Sequence, residues 1–444
     1  MPPSTFPSRR RSRPFQDTHV LVSAPALVAA TLVIVGGCSR LPDAAYTLRT
    51  DVEKLELPEK HVRQIADYLA AYHGSPASPR RALPQAPADE DASPAAGADE
   101  ASEPADGGAG KAGVDAIPRA DKPGYDRLHL THGRDVYLRQ CAGCHGTSGD
   151  GKGPAAAHLV PPPRDYRNGV FKFTSTPRGS KPRRDDLRRI LVYGAKGTSM
   201  PAFRFLPDEE REAVIDYVQS LSARGELEIA LIREATDELV EEDDFDPERV
   251  AEFVTDIDRS WARAEDEMVR PVTVNPARTP ETVRDGALAF AEMSCVKCHN
   301  RDAAGSKSAD VGQDIWGRTA YPANLAMGML HGGRRPEDIY RRVYSGINGT
   351  PMPASQDPNS ATGETAEARS DRIWHLVHFV TAVIENNGIP AAEQEVIDEA
   401  MRKAAPAAAA PASDDAAAPS PAPADTAAAL AAGPAVAPAT GPRP

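Results

Sequence analysis

Apolar positions recur at helical spacing in several separate stretches. Val62, Ile65, Ala66, Leu69 and Tyr72 line one side of a short helix expected within 51–73. Pro58 suits its first turn and Gly74 its C-terminal cap. Val250, Phe253, Val254, Ile257 and Trp261 mark a second stripe, opened by Asp246 as N-cap and Pro247 in the first turn. Two apolar, aromatic helices are expected from Ala213 to Leu221 around Tyr217, and from Ile373 to Ile384 around Trp374 and Phe379. Glu226 to Glu242 is a further helix candidate. The longest apolar run, Leu21 to Val35, falls short of the ~20 residues that a membrane span needs, and Pro25 interrupts it.

The periodicity disappears in two regions. Residues 75–122 run to Ala, Pro, Asp, Glu and Gly and read as a disordered linker, spanning roughly 35–40 Å if flexible. Residues 391–444 read as a disordered Ala/Pro-rich tail. Charge is also uneven. Nine Lys/Arg fall between Arg164 and Arg189, a run that reads as a solvated face or a patch that steers a partner. Residues 226–270 invert the sign, with 17 Asp/Glu against five Arg, and read as an acidic helical connector. The whole chain carries a formal charge of −13, which makes it a poor candidate for nucleic acid.

The candidate chemistry lies in a pentapeptide that occurs twice: Cys141-Ala142-Gly143-Cys144-His145 and Cys295-Val296-Lys297-Cys298-His299. The form Cys-x-x-Cys-His reads as a covalent haem c attachment site. With 5 Cys and 11 His in 444 residues, chance predicts about 0.0014 such strings, so two are not accidental. A zinc site would want partner Cys/His pairs at short spacing, and a redox thiol pair would not need the following His. The copies extend further, as a repeat must. Gly133 and Tyr137 precede the first motif, and Gly286 and Phe290 the second. Pro163-Arg164-Asp165-Tyr166 is matched by Pro322-Ala323-Asn324-Leu325, and Gly197-Thr198-Ser199-Met200-Pro201 by Gly349-Thr350-Pro351-Met352-Pro353. Each copy closes on one of the aromatic helices.

These residues resemble class I c-type cytochromes over roughly 125–223 and 281–386. The resemblance implies an all-α fold of two tandem cytochrome c domains with two covalently attached haem c groups. Cys141, Cys144, Cys295 and Cys298 would carry the thioethers. His145 and His299 would be proximal iron ligands, Met200 and Met352 distal ones, and the Pro163 and Pro322 regions would support the histidines. His158, His331, His375 and His378 remain fallback ligands, while Met293, Met327 and Met329 read as packed side chains, and some cations of the run from Arg164 to Arg189 could pair with haem propionates.

Arg9, Arg10, Arg11 and Arg13 precede the Leu21–Val35 run, which ends in Val35-Gly36-Gly37-Cys38. That ending resembles a bacterial lipobox, implying lipidation at Cys38, removal of 1–37 and a membrane-anchored protein on the periplasmic side. Loss of four Arg and one Asp would leave a net charge of −16. The expected organisation is 1–37 signal peptide, 38–74 lipidated N-terminus with a short helix, 75–122 linker, 123–224 first cytochrome domain, 225–280 connector, 281–390 second cytochrome domain and 391–444 tail. The expected function is single-electron transfer in a membrane-associated respiratory chain, as mobile carrier or subunit of an oxidase or quinol-oxidising complex. Redox donor and acceptor proteins are the expected partners, with no small-molecule substrate and no catalytic residues. The alternative is a dihaem peroxidase-like or thiosulfate-oxidising enzyme, which needs one haem with an open or readily released ligand.

Overall fold

A computed structural model describes residues 46–49, 55–83, 120–121, 127–305, 311–355 and 363–404. Cys38 and the expected signal segment lie outside them. The chain divides into one compact unit, Met1–Ala400, and a terminal unit, Met401–Pro444. The described residues are mainly helical, with four two-residue strands in two antiparallel pairs.

Both repeats are built on one helix crossing. In the first, α2 (Arg127–Gln140) crosses α5 (Asp208–Asp237) at Gly133, where an added Cβ would stand 2.1 Å from the Ala213 carbonyl oxygen. One turn on, the Tyr137 ring lies 5.4 Å from that of Tyr217. In the second, α7 (Pro280–Glu292) crosses α10 (Ala366–Glu385) at Gly286, where a Cβ would stand 2.1 Å from the His375 carbonyl oxygen. The Phe290 ring then lies 5.2 Å from Phe379. Glycine lets the backbones touch, and an aromatic pair four residues later fills the gap that opens beside the contact. The four residues recognised as a repeat, Gly133, Tyr137, Gly286 and Phe290, therefore each lie in one of two equivalent crossings.

The expected boundary near 224 does not break the helix. The closing helix of the first repeat and the Glu226 helix are one element of 30 residues. Gly225 is the weak point for helix propensity, and it is held because the Arg167 backbone packs where its Cβ would be, 2.4 Å away. The far half of α5 leaves the repeat and builds a layer with α1 (Glu59–His73) and α6 (Pro247–Arg263). Leu227, Leu231 and Ala235 pack there with Ile65, Leu69, Tyr72, Phe245, Val250 and Val254. Asp246 caps α6 by accepting from the Glu248 amide at 3.0 Å. His61 and His73 are buried in this layer. Trp261 anchors α6 to the first repeat: its Nε1 donates to Glu226 Oε1 at 3.1 Å, and its ring meets Phe171 edge-on at 6.0 Å.

Two segments expected to be disordered contain ordered structure. After α1, β1 (Gly74–Ser75) pairs with β2 (Ser78–Pro79), and Arg81 forms a buried ion pair with Asp258 of α6. Then β3 (Ala82–Leu83) pairs with β4 (Ala120–Asp121), so the two ends of the expected linker lie side by side; residues 84–119 fall outside the description. The tail begins later than expected, because α11 (Ala391–Ala404) occupies its first residues and buries Ile397 completely.

The basic run is consumed inside the molecule. Lys172 pairs with Asp314 at 3.0 Å, Arg178 donates to the Met352 and Thr350 carbonyls at 2.6 and 2.9 Å, and Arg189 pairs with Asp338. Lys181, Arg183, Arg184 and Arg188 turn the other way, to Glu226, Glu265 and Glu212. Sequence shows an isolated basic patch because the carboxylates that neutralise it are contributed by distant segments.

Candidate functional site

Each Cys-x-x-Cys-His motif forms one short helical turn at the end of an incoming helix. The turns are α3 (Ala142–His145), after α2, and α8 (Val296–His299), after α7. His145 and His299 amides bond to the Cys141 and Cys295 carbonyls, both at 2.9 Å. That turn puts both thiols and the imidazole on adjacent faces of a single helical turn, the arrangement a haem c edge requires.

The loops after the histidines repeat bond for bond. Gly151 N donates to His145 O and Gly305 N to His299 O, at 2.9 and 3.0 Å. Tyr166 N bonds to Gly149 O and Leu325 N to Ala303 O, at 2.8 and 2.9 Å. These loops bring the Pro163 and Pro322 regions behind the imidazoles. His145 Nδ1 donates to the Arg164 carbonyl and His299 Nδ1 to the Ala323 carbonyl, each at 3.1 Å. A carbonyl only accepts, so Nδ1 carries the proton and Nε2 keeps its lone pair for a metal. In both, the supporting carbonyl belongs to the residue after the proline. Burial lowers the proton affinity of both rings, against the pull of those carbonyl bonds.

The methionine loops also superpose in their bonding. Gly194 and Gly346, at φ 69° and 65°, end α4 (Arg184–Tyr193) and α9 (Pro336–Ser345). A Cβ at either would collide with the Met200 or Met352 carbonyl oxygen, at 2.7 and 2.6 Å. Three residues later, Gly197 and Gly349 take φ 76° and 71°. Thr198 and Thr350 then donate their hydroxyls to the Ala195 and Ile347 carbonyls at 2.7 and 2.8 Å. The two threonine hydroxyl oxygens in turn accept the Met200 and Met352 amides at 3.1 and 3.3 Å. The full repeated string is therefore Gly-x-x-Gly-Thr-x-Met-Pro. Its leading glycine, absent from the shorter match, is visible once the tetrapeptides before Thr198 and Thr350 are aligned.

These residues fit a covalent haem and not the competing groups. All four cysteines are free, so neither pair is a disulfide. Burial, with Cys144 beside it, pushes the Cys141 thiol up to about 12, and burial pushes Cys295 up to about 11. A thioredoxin-like pair has the opposite bias, a lowered thiol. Among the described residues, no three His, Cys, Asp or Glu side chains gather as a metal cluster. Three of the four fallback histidines are otherwise engaged, and His158 is exposed. His378 bonds through both ring nitrogens, to Thr282 Oγ1 and Asn275 Oδ1 at 2.9 Å each. His331 Nδ1 donates to the Lys196 carbonyl, and His375 faces Asp285. Met327 and Met329 are exposed instead of packed, with the Met329 methyl placed over Gly197.

The surroundings of the two imidazoles differ. Tyr166 stacks on the His145 ring at 4.7 Å and 18°. The second repeat has Leu325 at that position, and Phe290 lies 6.4 Å from His299. No described helix is long and apolar enough to cross a membrane.

Residues 129–218 match the family described as cytochrome c oxidase, cbb3-type, subunit III. No curated protein matches the chain. Among solved structures, a chain of the Kuenenia stuttgartiensis reducing HAO-like protein complex is 28% identical over 57% of this chain and 96% of its own, with a TM-score of 0.42. The matched segment runs from α2 through the motif at Cys141–His145 and the Met200 loop into α5. The chain thus contains a c-type cytochrome domain, built to bind haem c covalently and to transfer electrons.

Proposed function

We propose that the protein is a dihaem c-type cytochrome that passes single electrons within a membrane-associated respiratory chain. The observation that carries the second haem is the identity of the two loop sets. Both fix a histidine through Nδ1 and form a methionine turn with the same three hydrogen-bonding groups, a hydroxyl, a carbonyl and the methionine amide. The haem, when bound, supplies reversible one-electron chemistry. Cys141 and Cys144 would hold the first, with His145 and Met200 as its iron ligands; Cys295, Cys298, His299 and Met352 would hold the second. The carbonyls of Arg164 and Ala323 keep each Nε2 directed and basic. The threonine hydroxyls hold each methionine amide, so the thioether is presented by a preformed turn. A soft thioether would favour ferrous iron, and two protein ligands to each iron would leave no position for substrate. Cys38 is the proposed lipid attachment point, which puts the chain on the periplasmic face of a membrane beside redox donor and acceptor proteins.

The test is the haem-loaded full chain. Mass spectrometry should find two covalent haems, and a redox titration should show two waves. Met200→His and Met352→His should each lower one wave and leave the other nearly fixed, because imidazole stabilises ferric iron. One covalent haem, or rapid carbon monoxide binding by the wild type, would overturn this reading in favour of a single-haem carrier or an enzyme.

A further inference from the structure

Where the two repeats meet, positive charge outnumbers the carboxylates that match it. The Arg164 guanidinium stacks on the Trp316 ring, 3.9 Å from its centroid, and Lys172 reaches the same ring at 5.1 Å. Asp314 is the carboxylate at this place, and it is already engaged. Its Oδ2 takes Lys172 at 3.0 Å, and its Oδ1 accepts the amides of Trp316 and Arg318 at 3.1 Å each. Arg164 Nη1 is buried with no hydrogen-bond partner among the described residues, and Trp316 Nε1 is in the same condition. The two side chains that bear these donors are in contact, one from each repeat. An unsatisfied buried donor costs about 1–3 kcal/mol, and a charged one more. Two together mark the place of an acceptor. A guanidinium is charged, so its buried free donor is best matched by an anion.

The position of Trp316 says which anion. Its ring edge lies against Gly349, where an added Cβ would stand 3.0 Å from Cζ3, and Ile315 N bonds to Gly349 O at 3.0 Å. Gly349 belongs to the turn that presents Met352. We propose that Arg164 and Trp316 clasp a propionate of the second haem, so that a residue of the first repeat sets the potential of the second site. This rests on the dihaem reading above. The clasp is one-way, because the position equivalent to Arg164 in the second repeat is Ala323. Ferrous haem carries one positive charge fewer than ferric, so a buried guanidinium beside it favours the reduced state.

The experiment is a redox titration of haem-loaded full chain: wild type, Arg164→Gln and Trp316→Phe. Each is repeated in a Met352→His background that moves the second wave away from the first. Arg164→Gln should lower the second wave, reducing its ferrous-to-ferric ratio at fixed ambient potential by about tenfold. Arg164→Lys should restore most of that shift. Trp316→Phe keeps an aromatic face under Arg164 and removes the N–H together with the rest of the pyrrole ring, so it should lower the same wave by less. It decides the matter alone if Arg164→Gln does not load haem. A second wave unmoved in variants that carry two haems would overturn the clasp. Movement of the first wave would assign the carboxylate to the first haem and overturn the one-way coupling. A wild type with a single haem would instead bring down the dihaem reading on which the clasp rests.

Discussion

The two repeats agree where backbone meets ligand and differ where side chains meet the ligand from behind. In the first, the tight loop around His145 uses glycines at positive φ, Gly146 at 76° and Gly149 at 77°. The second puts Asn300 at 62° and the fully buried Ala303 at 56° in the same places. Asparagine tolerates that region; alanine does so at a cost of order 1 kcal/mol. The first repeat stacks Tyr166 on its histidine, whereas the second offers Leu325. The first also extends α5 into a layer shared with α1 and α6. One hydrogen-bond pattern thus survives different residues, because it needs the backbone dihedrals and the threonine hydroxyl and little else. The surroundings are free to diverge, and through them so are the properties of each site.

The shared crossing is the place to apply the largest perturbation. Gly133→Ala and Gly286→Ala each force a methyl against a backbone carbonyl that has no rotamer to escape with. Each should cost about 3 kcal/mol in chemical denaturation, equally in both repeats. A much smaller loss at one of them would show that the two crossings are not equivalent.

The junction between repeats comes next. Asp338 pairs with Arg189 of the first repeat and Arg335 of its own. Burial pushes its carboxyl up, but Arg335 and Arg189 outweigh burial and hold it below the ordinary 3.8. A depressed folded-state value contributes stability fully present above the ordinary value and lost as pH falls through the depressed one. Asp338→Asn should cost about 2 kcal/mol at neutral pH. Its stability should also fall less than that of the wild type as pH drops below about 4. Thermal denaturation at pH 7 and pH 3 measures both, and parallel acid losses in the two proteins would remove Asp338 from the account.

Tyr166→Leu makes the first site resemble the second. Loss of the stacked ring should cost about 1.5 kcal/mol, while haem content stays at the wild-type level by pyridine haemochrome. Thr198→Val and Thr350→Val remove one hydroxyl from each methionine turn. Each should destabilise by about 1 kcal/mol, and matched values are the measure of how alike the two loops are. An unequal pair would mean that neighbours such as Trp316 or Met329 take over part of the hydroxyl's role.

Much of this protein is fixed by short-range chemistry and is therefore legible in order along the chain. A Cys-x-x-Cys-His turn, a proline loop and a Gly-Thr-x-Met-Pro turn need dihedrals and hydrogen bonds spanning a few residues, so each carries its own residue signature twice. The stripe of α6 and its Asp246 cap are local in the same sense. What tertiary structure decided is everything that joins distant segments. Continuity of α5 through Gly225 depends on the Arg167 backbone, 58 positions away. Much of the basic run from Arg164 to Arg189 is paired within the molecule because Asp314, Asp338, Glu226 and Glu265 come to it from other parts of the chain. Which carbonyl supports each histidine, and which ring covers it, was likewise set by how the loops fold back. Backbone turns are coded by neighbours, whereas charge and contact are pair properties whose second member becomes known when the chain has folded.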